Sequence, residues 1–199
     1  MLRTIAVTAL AASVAACCLG LAACEPAASP SADGASGRET AALPDLVGKG
    51  LQTAQDKAQS AGFHRLGSHD ARGRGRMQAF DRNWKVCTQK PGPGRRDTNI
   101  TVEFGAVKVE ESCPGKDAGT QAPPKAGSVM PDLRGKSVKV ARKAMDFNTS
   151  IAVKDATGQR RFIVMESNWR VCSQSPAAGT KYDGQPVAFQ AVKFGEKCD

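Results

Sequence analysis

The chain has 199 residues, a formal net charge of +9 and a mean hydropathy of −0.35, with 41% hydrophobic but only 5% aromatic residues. So few aromatics on so polar an average exclude one large, deeply packed enzyme body and fit small cores joined by polar segments. The positive balance favours anionic partners.

The first element in chain order is an export signal. Arg3 precedes an apolar run from Ile5 to Leu21, the pattern of a removable secretory segment that takes no part in the fold. Its end, Leu21-Ala22-Ala23-Cys24, resembles a bacterial lipobox, which implies removal of residues 1–23 and acylation of Cys24. Val14-Ala15-Ala16-Cys17 has the same pattern but leaves too short an apolar run ahead of it. Stable anchoring takes more than one acyl chain, as a diacyl-type anchor supplies. The expected location is the outer face of the cell membrane, lipid-anchored, or, with an ordinary signal peptide, secreted. Losing the leader removes Arg3 alone, 9 − 1 = 8, so the mature chain carries +8. Outside the cell its anionic partners are lipid headgroups, wall polymers or peptidoglycan carboxylates, not nucleic acid. Residues 24–42, rich in Ala, Ser, Gly and Pro, read as a disordered tether.

From there the chain is written twice. Asn83-Trp84-Lys85-Val86-Cys87-Thr88-Gln89-Lys90-Pro91 returns as Asn168-Trp169-Arg170-Val171-Cys172-Ser173-Gln174-Ser175-Pro176, and 168 − 83 = 85. Leu43-Pro44-Asp45-Leu46 returns as Met130-Pro131-Asp132-Leu133, with 130 − 43 = 87. A repeat of this kind decides domain organisation: two modules, 43–114 and 130–199, with a flexible linker at 115–129 that contains Pro123-Pro124. A module of this size buries only about 60% of its unfolded surface and often needs a staple.

Each module opens extended, because the residue before proline is pushed out of the helical region. A helix follows at about Leu51 to Ala61, with Leu51, Ala54, Ala58 and Ala61 on one face and Gly62 as its stop. In the second copy Ser137 stands where an N-cap belongs, ahead of an apolar face of Val138, Ala141, Ala144 and Met145. Next come a strand around Phe63–His69 (Ser150–Asp155), a Gly/Arg loop and a strand over roughly Arg76–Gln89 (Arg161–Gln174). Turn residues Pro91-Gly92-Pro93-Gly94 and Pro176-Ala177-Ala178-Gly179 follow. The last strand points Ile100, Val102 and Phe104 inward, then changes parity to Val107 and Val109, as the second copy does at Val192 and Phe194. That change predicts a bulge near Gly105-Ala106. The fold expected is α+β: two tandem small modules, each a short strand, one helix and a three-stranded antiparallel sheet.

Of seven cysteines, Cys17 and Cys18 leave with the leader and Cys24 takes the lipid. Cys87, Cys113, Cys172 and Cys198 remain, and four cysteines allow three connectivities. Export favours disulfides, and equal spacing in both copies favours 87–113 and 172–198. Zinc is the rival reading, but the spacing is not CxxC and the second copy has no histidine. No metal and no cofactor is expected.

Pro44-Asp45-Leu46-Val47-Gly48-Lys49 ahead of a helix, and Val171-Cys172-Ser173-Gln174-Ser175-Pro176-Ala177-Ala178-Gly179-Thr180 ahead of a final strand, resemble the PASTA domain. The resemblance spans nearly all of 43–111 and 130–196. PASTA domains recur outside the cell on penicillin-binding proteins and receptor-like Ser/Thr kinases, where they bind peptidoglycan fragments or act as spacers and partner surfaces. The resemblance therefore implies an envelope protein that contacts peptidoglycan or an anionic wall polymer; it is expected to be noncatalytic and monomeric. Its alternative is an interaction module for an envelope kinase, a synthase or a secreted partner.

Two groups of residues are candidates for contact. Trp84 and Trp169 could stack on a sugar ring, or else cover the small cores. Arg72, Arg74 and Arg76, with Arg160 and Arg161 in the matching loop, could pair bidentately with carboxylate or phosphate, or else simply be solvated. His64 and His69 have no counterpart in the second copy and no nucleophile motif beside them. GxSxG, HExxH and phosphate-cradle motifs are missing too, so no catalytic residue is expected.

Overall fold

The computed structural model describes residues 39–119 and 122–198; Cys24 and the lipobox lie outside them. The described residues are α+β. The first half runs β1 (Thr40–Leu43), α1 (Leu51–Ser60), β2 (Leu66–Asp70), β3 (Trp84–Lys90), β4 (Gly94–Asp97) and β5 (Val102–Lys108). The second runs α2 (Val138–Ala144), β6 (Ile151–Asp155), β7 (Trp169–Ser175) and β8 (Val187–Lys193). A 3-10 turn precedes each tryptophan, at Asp81–Asn83 and Glu166–Asn168.

Each half carries a three-stranded sheet of the same order, β2-β5-β3 and β6-β8-β7. The expected all-antiparallel sheet is corrected to a mixed one. β5 is central, antiparallel to β3 but parallel to β2, and β8 stands likewise between β7 and β6. The cause is the Gly/Arg loop after β2, which carries the chain to the far side of β5 instead of turning back beside β2. The signature strand is also shorter than expected. It starts at the tryptophan, and the residues ahead of it form the loop and the 3-10 turn.

The predicted bulge exists, but on the other strand. Val86 pairs with Ala106 and Thr88 with Gly105, leaving Cys87 as the extra residue; Val171, Ser173 and Cys172 repeat this against β8. Ala106 and Ala191 therefore keep the inward alternation of the last strand and belong to the cores. Val107 and Val192 are buried on its opposite face. A two-stranded ladder of β1 with β4 pairs Thr40 to Asp97 and Leu43 to Gly94, so residues 40–42, expected in the tether, are part of the fold.

Two separate cores result. Leu46, Leu51, Phe63, Val86 and Phe104 dominate the first, and Leu133, Val138, Val171, Val187 and Phe189 the second. Leu51, Ala54 and Ala58 of α1 are fully buried; methyl-sized side chains let the helix lie close on the sheet. Ser137 caps α2, its hydroxyl accepting from the Val140 amide at 3.1 Å. The repeated glutamine explains the repeated Pro-Asp-Leu. Gln89 Oε1 accepts from the Leu46 amide at 2.9 Å while its Nε2 donates to the Pro44 carbonyl at 3.1 Å. Gln174 does the same for Leu133 and Pro131, at 2.8 and 2.9 Å. Each opening segment is thus bonded through both main-chain groups to the signature strand.

The cysteines pair 87–113 and 172–198, which fits an oxidising compartment. The segment 115–129, expected as the linker, is bonded to the folded parts near both ends. The Ala118 amide donates to the Ala71 carbonyl and the Ala126 amide to the Ala144 carbonyl. The halves also touch. The Ser137 hydroxyl donates to the Arg74 carbonyl at 2.7 Å, and the Arg74 guanidinium lies 4.0 Å over the Phe194 ring.

Candidate functional site

The arginine loops close on the protein's own carboxylates. Asp70 ends β2, Arg76 returns from the loop beside it and Glu111 follows β5. Arg76 Nε and Nη2 donate to Asp70 at 2.8 Å each, and Nη1 and Nη2 donate to Glu111 at 3.0 and 2.9 Å. In the second half Arg161 Nε and Nη2 donate to Asp155 at 2.8 and 3.0 Å, and Nη1 and Nη2 donate to Glu196 at 2.7 and 2.9 Å. All three members are 85 residues apart: 70 and 155, 76 and 161, 111 and 196. Each guanidinium also lies over the indole of its half, 5.1 Å from the Trp84 ring and 4.8 Å from Trp169.

Charge follows contact. Burial works to raise the Asp70 and Glu111 carboxyls, but the Arg76 guanidinium wins and holds both below the usual carboxylate range. The hydrogen bond from Arg161 and that from the Lys193 amide bring Glu196 down to about 2. Arg76 and Arg161 are held more firmly protonated than a free arginine, while burial, then the like charge of Arg76, lowers Arg74.

This geometry bears on the alternatives that the sequence left open for the contact residues. Trp84 is 1% and Trp169 3% exposed, so neither ring offers a stacking face; each roofs its core beneath an arginine. Arg76 and Arg161 have their bidentate edges filled. Arg72 donates to the Ser112 carbonyl at 2.7 Å, and Arg74 pairs with Glu111 at 3.4 Å besides covering Phe194. Of the five arginines, Arg160 alone is exposed with no ion pair among the described residues.

A further cluster sits on the first half only. His69 Nδ1 lies 2.9 Å from Glu103 Oε1 and Nε2 2.8 Å from Asp117 Oδ2, which also accepts from the Thr88 hydroxyl. The cluster latches residues 117–119 to the sheet. A Cβ on Gly105 would strike Asp117 and Thr88, and one on Gly119 would strike the Asp70 carbonyl. Both ring nitrogens face carboxylates, so His69 is no free base. Burial works to lower its pKa, but the bonds to Glu103 and Asp117 raise it overall. The latch should therefore stabilise fully below the unfolded value near 6.5 and fade as pH rises through the higher folded value. Replacing His69 with Gln should cost stability at about pH 5 and little at about pH 9, read as the difference in melting temperature. A pH-independent difference would contradict the latch.

A cavity of about 570 Å³ opens where the halves meet, walled by Met77, Trp84 and Lys108 of the first and Lys139, Met165 and Asn168 of the second. That volume is within the range of small-molecule sites. Among the described residues no helix is long and apolar enough to cross a membrane.

No family model matches the chain, and no curated protein matches it. Among solved structures it is similar to the crystal structure of the three-PASTA-domain of a Ser/Thr kinase from Staphylococcus aureus, at 17% identity and a TM-score of 0.27. That match covers 78% of this chain and 66% of the other, so this chain spans just under two thirds of that structure's length.

Proposed function

We propose that the chain is a noncatalytic envelope protein of two PASTA-like modules, anchored through Cys24 outside the cell and contacting peptidoglycan or an anionic wall polymer. The observation that carries this reading is the charge left over once the internal pairs are closed. Arg65, Lys90, Arg95 and Lys154 are exposed and form no ion pair with the described residues, on a chain whose net charge of +9 falls only to 9 − 1 = 8 when Arg3 leaves with the leader. Such cations attract a polyanion diffusely, without a deep pocket. The glutamine bonds to the Pro-Asp-Leu segments give the resemblance a physical basis, and the disulfides suit the compartment.

Purified sacculi should pull the protein down at low ionic strength and release it as salt shortens the screening length below about 8 Å. Protein left wholly in the supernatant at low salt would overturn this reading. Binding no better than that of a control of equal charge, with crosslinking in cells to one defined polypeptide, would replace it with the protein-partner function.

A further inference from the structure

The loops between the sheet edges and the tryptophans have an inside and an outside. In the first half Arg76 and Gln78 turn inward: Arg76 into its clamp, and Gln78 onto the Arg76 carbonyl and the Ser68 hydroxyl. In the second half Arg161 and Ile163 turn inward, Ile163 packing on the core. The positions between and just after them turn outward and are apolar in both halves. Met77 and Phe162 are 73 and 91% exposed, Phe80 and Met165 62% each, and Val164 83%. Again 162 − 77 = 85 and 165 − 80 = 85. The two loops adjoin, since Met77, Ala79 and Met165 border the same cavity. Solvated loops rarely gather large apolar tips, and such a patch marks an interaction surface.

The charges around the tips select the partner. Lys108 and Lys139 wall the cavity, the Arg82 guanidinium lies 5.5 Å over the Phe80 ring, and Arg160 stands two residues before Phe162. None of these four forms an ion pair among the described residues. The nearby carboxylates Glu111 and Glu166 are already engaged, by Arg76 and by Arg142, which leaves Asp81 and Glu110. A second copy would bring like charge against like. Exposed apolar tips ringed by cations suit a soft anionic interface, where side chains enter between headgroups and cations meet phosphates.

We propose that loops 77–82 and 162–168 dock the protein on an anionic lipid surface. Hydrogen exchange of the full chain, read peptide by peptide, tests this with vesicles containing phosphatidylglycerol against vesicles of phosphatidylcholine alone. A local readout is needed because the apolar leader can hold the chain on either vesicle. The expected result is a several-fold slowing in both loops with the anionic vesicles only, absent from the 162–168 loop of the double variant Phe162→Ser, Val164→Ser. Those side chains are exposed, so the variant should keep the wild-type melting temperature and its slow core amides. Unchanged exchange in both loops, equal slowing on neutral vesicles, or slowing that persists in the variant would overturn the proposal. So would slowing produced by a soluble acidic protein and by no vesicle.

Discussion

Replacing Arg76 with alanine should cost about 3 kcal/mol of stability at neutral pH, the lower end of what removing one partner of a buried ion pair costs. The loss comes less from the missing attraction than from what remains. Asp70, its side chain 1% exposed, is left without its cation, while Arg74 and Arg72 still lie 3.4 and 3.7 Å from Glu111 and soften the effect there. In the wild type both carboxyls titrate below their unfolded values. They contribute stability above roughly pH 4, and that contribution is lost as pH falls through the depressed folded values. In the variant the same carboxyls lose the group that depressed them, so the deficit should narrow as pH falls below about 4. Urea denaturation at neutral and acid pH measures both limbs. An unchanged midpoint at neutral pH would show that the clamp is not a structural element. Replacing Asp70 and Arg76 together with apolar residues of similar volume, with Glu111 kept for Arg72 and Arg74, should cost much less, because no buried carboxylate is then stranded.

The clamp also shows where the sequence stops being legible. The offset of 85 aligned the tryptophans, cysteines and apolar strand positions, and applied to every charged residue it also pairs Asp70 with Asp155 and Glu111 with Glu196. What the offset cannot show is that the loop folds back to bring residues 35 apart within 3.0 Å. Arg76 and Arg161 therefore read as open ligands or as solvated side chains, when they are closed on the protein's own carboxylates. The tryptophans were ambiguous for a related reason, since a large ring beside a polar run reads as a platform or as a roof, and only their burial picks the roof. The alternation of the last strand was read correctly as far as Phe104. The apolar Val107 then drew the bulge onto β5, because alanine at 106 is too small to register as a core residue in a pattern of larger ones. The cysteine pairing and the cap at Ser137 were legible, since equal spacing in both copies favoured the one and local bonding sets the other.

Breaking the Cys87–Cys113 bond, by serine at both positions, should remove about 3 kcal/mol by releasing a loop of that length in the unfolded chain. The bond joins the bulge of β3 to the turn after β5, so it fastens the end of the ladder from which Glu111 reaches the clamp. A single core in a domain this small rarely supplies more than about 3–5 kcal/mol, so the loss consumes most of what holds the first half together. The Cys172–Cys198 bond has the same separation of 26 residues and should be worth the same to the second half. Among the described residues, the hydroxyl bond and the arginine over a ring that cross the joint contribute roughly 1–2 kcal/mol together, less than either disulfide. Removing one disulfide should therefore split the melt, the unstapled half unfolding first and the stapled half keeping its midpoint. Calorimetry of the two double variants and of the reduced wild type reads this directly. One cooperative transition shifted as a whole would mean that the joint, and not the sulfur bridges, sets the unit of folding.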